Sequence, residues 1–282
     1  MERKTLKEKN KNCRKGRISG KKTLLLLCLL PCLLFGCAKA PGINTEGEES
    51  QGDKLLEAGS YQEAADLYQQ KIDGGEGSEE NYRRLGIAWM GLGDYNKAAA
   101  AFETALSEAG IVPGDTEYDI NYYLGSCYDK LGDYEAALKV YDAIVTLRPK
   151  DADAIELRGA VKMQMGDTDG MQEDFSKSIA LEPSNYDRLL SVYSAMSQNG
   201  YDTEGKVYLQ NALDKYSDSM SSYDRGRIAY YVGDYETART NLEQMQSNTD
   251  EKVVLMLGRT YEALGDFNDA LATAKDAETV DE

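Results

Sequence analysis

One tripeptide recurs along this chain with a period close to 34 residues. Gly-Asp-Tyr or a near variant stands at Gly59-Ser60-Tyr61, Gly93-Asp94-Tyr95, Gly132-Asp133-Tyr134, Gly166-Asp167-Thr168, Gly233-Asp234-Tyr235 and Gly265-Asp266-Phe267. A degenerate copy lies at Gly200-Tyr201-Asp202, and successive glycines are 34, 39, 34, 34, 33 and 32 residues apart. A period of this length restricts the fold sharply. One such unit cannot bury its own apolar face, so the chain must be an array whose neighbours cover each other.

The segments on either side of each turn define the unit. Before one turn runs Tyr82-Arg83-Arg84-Leu85-Gly86-Ile87-Ala88-Trp89, and after it Asn96-Lys97-Ala98-Ala99-Ala100-Ala101-Phe102-Glu103-Thr104-Ala105. Both carry apolar residues at helical i, i+3, i+4, i+7 spacing. The glycine can close the first helix in a left-handed conformation. The aspartate stands where its carboxylate can accept from the free amides of the second. Each unit therefore reads as helix–turn–helix.

In these residues the chain resembles the tetratricopeptide repeat (TPR) family. Unit 79–112 supplies Tyr82, Leu85, Gly86, Trp89, Ala98, Phe102 and Ala105. Unit 118–151 supplies Leu124, Gly125, Tyr128, Ala137, Tyr141 and Pro149, and unit 251–282 supplies Leu257, Gly258, Tyr261, Ala270 and Ala277. Units 152–185, 186–218 and 219–250 keep Gly159 and Pro183, Gly200 and Ala212, and Gly226 and Ala238. The opening unit, about 45–78, has Gly52, Ala64 and Tyr68 behind a Gly- and Glu-rich first helix. The resemblance implies an all-α, right-handed superhelical solenoid over residues 51–282. Five extra residues near 110–117 read as a tolerated insertion between units.

The family's ligands lie along a concave groove built from the first helices, so the resemblance also points to groove residues. They are Arg83, Ile87 and Met90; Tyr122, Ser126 and Asp129; Glu156, Ala160 and Met163; and, in the last two units, Tyr223, Arg227, Tyr230, Tyr231, Lys252, Leu255 and Arg259. The last set joins aromatics to cations, the residue types enriched at binding hot spots. It would suit an acidic or carboxylate-bearing peptide. The competing reading packs Tyr230 and Tyr231 between helices and pairs the arginines with carboxylates such as Glu236. The Lys, Asn and Arg set of chaperone-binding members is not present.

The N-terminus carries an address. Ten Lys or Arg fall within the first 22 residues, and an apolar run from Thr23 to Phe35 follows. Thirteen residues at about 1.5 Å each reach only ~20 Å, short of a ~30 Å hydrocarbon core, so this is a secretory leader rather than a span. Leu34-Phe35-Gly36-Cys37 resembles a bacterial lipobox. The resemblance implies cleavage after residue 36, a diacylglycerol thioether on Cys37 and an acidic linker to residue 50. It places the chain outside the cytoplasm, on the outer leaflet of the cell membrane. Ala38 would permit sorting to an outer membrane if the host has one.

Charge and composition narrow the function. Removing 1–36 leaves 22 basic and 47 acidic residues, a net charge of −25. Phosphate backbones repel such a chain, which argues against nucleic-acid partners. Histidine is absent, which removes the commonest general base and transition-metal ligand. Asp167-Thr168-Asp169-Gly170 fails as a calcium loop, since Met165 and Ser176 would fill its first and twelfth positions. The glycines at 74–77 lack the Lys-Ser/Thr of a phosphate loop. Cys127 reads as a small buried hydrophobe. The expectation is a non-catalytic scaffold for a protein or peptide, without metal or cofactor. The alternative is an assembly factor like the lipoproteins that build outer-membrane barrels or pili. Self-association through an uncapped end stays open beside both.

Overall fold

A computed structural model describes residues 50–110, 114–245 and 250–278, with side chains to residue 273. The leader, Cys37 and the linker lie outside the described residues, as do residues 111–113 of the insertion. Fourteen α-helices follow one another among the described residues, paired into seven hairpins. The hairpins are α1 (Gln51–Glu57) with α2 (Tyr61–Asp73), α3 (Glu79–Gly91) with α4 (Tyr95–Glu108), and α5 (Asp115–Leu131) with α6 (Tyr134–Leu147). Then come α7 (Ala152–Gln164) with α8 (Thr168–Leu181), and α9 (Tyr186–Gln198) with α10 (Asp202–Tyr216). The last two are α11 (Ser222–Val232) with α12 (Tyr235–Glu243), and α13 (Glu251–Leu264) with α14 (Phe267–Glu278). No described helix is long and apolar enough to cross a membrane.

The repeated turn explains the hairpins. All seven turn glycines adopt positive φ, from 71° at Gly59 to 103° at Gly233, a region that side chains with a Cβ rarely enter. The amide after each glycine then donates back to a carbonyl five residues earlier. These bonds, Ser60 to Leu55, Asp94 to Trp89, Asp133 to Tyr128, Asp167 to Lys162, Tyr201 to Met196, Asp234 to Ala229 and Asp266 to Tyr261, are all 2.9 Å long. That is the Schellman closure of a helix C-terminus. The carboxylates of Asp94, Asp133, Asp167 and Asp234 accept the amides three residues on, and so start the next helix. Asp202 behaves differently. Tyr201 occupies the cap position of α10, and Asp202 instead accepts from the Tyr193 and Ser197 hydroxyls.

Inside five of the seven hairpins a glycine on the first helix meets a large side chain sixteen residues later. A Cβ on Gly86 would come within 2.6 Å of the Phe102 ring, one on Gly125 within 2.7 Å of Tyr141, and one on Gly226 within 2.6 Å of Leu242. Gly52 stands likewise against Tyr68, and Gly159 against Phe175. Missing Cβ atoms on the first helix are therefore what admit fully buried rings from the second. The core runs on from hairpin to hairpin. Ala98 and Phe102 of α4 pack with Ile120, Leu124 and Cys127 of α5, and Tyr141 and Ile144 of α6 with Ala154 and Ile155 of α7. α5 begins at Asp115, so residues 115–117 of the insertion belong to its first turn, where the Glu117 carboxylate accepts the Gly114 amide at 2.7 Å.

Candidate functional site

First helices touch across hairpins, α3 with α5 and α11 with α13, so they share one side of the array. Along that side most arginines are already occupied by a neighbouring hairpin. Arg83 reaches Asp119 of α5 at 3.4 Å and Glu80 of its own helix at 3.4 Å. Arg188 of α9 is 7 % exposed and joins Asp153 and Glu156 of α7, at 2.5 and 2.6 Å, to Glu182 before its own helix at 3.0 Å. Arg227 of α11 reaches back to Asp187 at 2.5 Å while also binding Asp224 at 2.7 Å. Burial works against the Arg227 charge, but the two carboxylates outweigh it and raise its pKa. These cations fasten one hairpin to the next.

The aromatic candidates divide in the same way. The Tyr122 hydroxyl donates to Asp151 at 2.6 Å, and burial first, then that carboxylate, push its pKa up. Tyr231 packs against Tyr193 of α9, with ring centroids 5.5 Å apart, and edge-on against Tyr230 at 5.3 Å. It thus links the cores of the fifth and sixth hairpins. Tyr230 also leans on Tyr235, at 5.6 Å. Tyr223 lies under the Arg227 guanidinium at 5.1 Å and is half-buried beside Met256 and Leu257. Arg83 and Tyr122, on α3 and α5, are not part of this group.

What stays open on that side belongs to α13. Lys252 and Arg259 are exposed, and among the described residues neither pairs with a carboxylate. Leu255, between them at i+3, is 51 % exposed. The field of Arg259 reaches Tyr230, although burial dominates that hydroxyl and raises its pKa. The three side chains share one helical face, bordered by Tyr223 and Tyr230. No group of three or more acidic, histidine or cysteine ligands suited to a metal occurs among the described residues.

Two polar anchors escaped the sequence reading. Asp174 of α8 is 1 % exposed and takes a two-pronged bond from Arg158, at 2.6 and 2.9 Å, and an ion pair from Lys162 at 2.8 Å. Arg188 is the other. In a chain with this many acids and bases, neither residue stands out before the hairpins bring its partners together.

Seven hairpins closed by one turn, with first helices aligned on one side, define a helical repeat scaffold. Residues 83–152 and 223–279 match the tetratricopeptide repeat family model. Over those two stretches, just under half of the chain, the protein carries tetratricopeptide repeats. Among solved structures, the C-terminal part of a TPR repeat-containing protein from Cytophaga hutchinsonii superposes with a TM-score of 0.52 at 17% identity, covering 81% of this chain and 90% of that one. MamA from Desulfovibrio magneticus gives 0.50 at 21% identity, over 60% of this chain and 93% of that one. Both likenesses are of fold. The BBSome complex member BBS4 of Bos taurus is 22% identical over 147 residues, 52% of this chain. The chain spans only 27% of that curated relative.

Proposed function

We propose that this protein is a lipid-anchored, extracytoplasmic scaffold that binds an acidic segment of a protein partner on the face of α13. The observation that carries the binding site is the contrast along the first helices. Arg83, Arg188 and Arg227 are held by carboxylates of adjacent hairpins, whereas Lys252 and Arg259 are exposed beside an exposed leucine. In a chain this acidic, two free cations flanking an apolar side chain make a local exception to the surrounding field. A partner with a carboxylate and a small apolar group would meet both. The absence of histidine, and with it of any Ser-His or Cys-His nucleophile pair, favours binding over catalysis. Anchoring rests on the lipobox-like Leu34-Phe35-Gly36-Cys37.

The binding test uses residues 38–282 as immobilised bait in a detergent extract of the cell envelope, read by mass spectrometry. A parallel bait carries Lys252→Glu, Leu255→Asp and Arg259→Glu. Arg227 and Tyr230 are left intact, because changing them would disturb packing as well as the patch. A protein held by the first bait and lost from the second is the expected result; equal retention by both would refute the α13 site. Anchoring is read separately, by incorporation of a clickable palmitate analogue. Label should enter the wild-type chain and be absent from Cys37→Ser, and label in both would refute lipidation at Cys37.

A further inference from the structure

One joint of the array is built unlike the rest. α2 runs alongside α3, α4 alongside α5 and α6 alongside α7, and α10 and α12 likewise lie along the first helix that follows each of them. α8 barely meets α9. Long side chains fill the space that the two backbones leave, and Met163, Met171, Phe175, Val192 and Met196 are all buried there. The two joints before it are packed by smaller or stiffer side chains, such as Ile120 with Cys127 and Ala154 with Ile155. An unbranched thioether side chain has three rotatable bonds and repacks with little loss. The hydrogen bonds and ion pairs across the joint lie at its two rims. On the first-helix side Arg188 of α9 binds Asp153 and Glu156 of α7, the Ser191 hydroxyl donates to Glu156 at 2.9 Å, and the Gln164 amide donates to Asn199 at 3.1 Å. On the second-helix side the Tyr208 hydroxyl of α10 donates to the Gln172 carbonyl at 3.3 Å and meets the Ser176 hydroxyl at 3.2 Å.

We propose that this joint is a hinge and Arg188 its latch. The first four hairpins and the last three turn against each other as two bodies, and on opening Arg188 releases Asp153 and Glu156 while keeping Glu182. The connector suits that exchange. The Asn185 amide donates to the Glu182 carbonyl at 2.9 Å, and its side chain donates to the Glu182 carboxylate at 2.8 Å, with Pro183 between the two residues. Arg188 closes the same unit at 3.0 Å from Glu182, so all three travel with α9. The preceding joint is fastened otherwise. There Arg158 of α7 grips Asp142 of α6 at 2.8 Å, but α6 also lies along α7, and losing that ion pair leaves the joint shut. At the hinge, losing the latch leaves soft methionines and a few rim hydrogen bonds that water can replace. Opening also returns the buried Arg188 charge to water, which offsets much of the pairing it gives up, so the two arrangements lie close in free energy. A few connector residues absorb the rotation, as in other hinged chains. The motion changes the curvature of the first-helix side and re-aims α13 relative to the first four hairpins, whether or not α13 holds a ligand.

The test measures distances by pulsed electron spin resonance on the full-length chain in a mild detergent. Spin labels are carried by encoded non-natural residues, which spares the native cysteines. Asp66, Lys139, Val207 and Ala272 all stand exposed seven residues after a turn glycine, on α2, α6, α10 and α14. Each successive pair of labels therefore spans two hairpin steps, and only Lys139 with Val207 crosses the proposed hinge. Arg188→Met should at least double the width of that pair's distance distribution. Glu156→Gln, which keeps an acceptor for Ser191 and loses the charge, should widen it less. The Asp66–Lys139 and Val207–Ala272 distributions should stay those of the parent in both variants, which also shows that each body remains folded. If Arg188→Met widens all three pairs by unfolding the chain, the milder Glu156→Gln decides. A Lys139–Val207 distribution unchanged in both variants would overturn the inference, and so would equal widening of all three pairs in Glu156→Gln.

Discussion

The second and fifth hairpins solve one packing problem in opposite ways. In the second, the first helix carries the glycine and the second helix the ring: Gly86 receives Phe102. In the fifth the sizes are exchanged. Tyr193 sits on the first helix where the others have glycine, and Gly205 on the second helix makes room, with a Cβ there falling 3.0 Å from the Tyr193 ring. The exchange shows that the hairpin constrains the summed volume between its helices rather than which helix supplies it. It also has consequences nearby. The Tyr193 hydroxyl donates to Asp202, the first residue of α10, and its ring extends to Tyr231 in the next hairpin. The joint before it differs too. Met163, Met171, Phe175, Val192 and Met196 fill the space between the fourth and fifth hairpins, and Arg188 pins it with three carboxylates. Flexible methionines adapt to irregular gaps, and a hydrogen-bonded charge cluster supplies the directionality they lack.

The largest test of this contrast is Gly86→Val. Its side chain would enter the Phe102 ring, fully buried and without slack, and we expect a loss of about 3 kcal/mol, measured by chemical denaturation. Arg188→Met comes next. It strands Glu156, whose pKa burial already raises, and should cost about 2 kcal/mol. The two variants should part company at Cys127. Burial pushes that thiol up to about 12, so the folded chain resists alkylation near neutral pH. Gly86→Val loosens the neighbouring hairpin and should speed the labelling of Cys127, while Arg188→Met should leave it almost as slow as in the parent. If both variants accelerate labelling equally, the array opens as one unit and the regional contrast fails.

A smaller effect separates the glycines themselves. Gly205→Ala gains helix propensity and presses the Tyr193 ring only slightly, so it should change stability by less than about 0.5 kcal/mol. Gly86→Ala, with its contact 0.4 Å tighter, should be clearly destabilising. Equal effects would mean that the second hairpin relaxes as easily as the fifth. The smallest signal is in acid. The Glu182 carboxyl is held below its usual range, first by the Asn185 amide and then by Arg188, against the opposing pull of burial. A depressed carboxylate contributes stability that is present above its unfolded pKa and lost as pH falls through the folded one. Removing Arg188 should therefore flatten the acid limb of the denaturation profile, and an unchanged slope would dismiss this coupling.

Much of the architecture was legible because it is local and repeated. A turn glycine with positive φ, an aspartate that caps and a post-turn aromatic need only a few consecutive residues, and seven copies make the pattern unmistakable. The groove was legible only as a set of positions. Arg83, Tyr122 and Arg227 have the residue types of a binding face, yet each spends its polar group on a carboxylate 29 to 40 residues away. Separations of that kind cannot be read from a chain in which nearly any base has several acids within reach. The reversed pair Tyr193 and Gly205 was hidden for the same reason, since only the closed hairpin shows that the two compensate.

By itself, then, the sequence determined the number of hairpins, where each turns and how each helix starts and stops, because those are contests among neighbouring backbone groups. The tertiary structure decided which charges are consumed in joining hairpins and which stay open on α13. Those outcomes depend on distances between segments a full repeat apart, and such distances exist only once the helices have stacked.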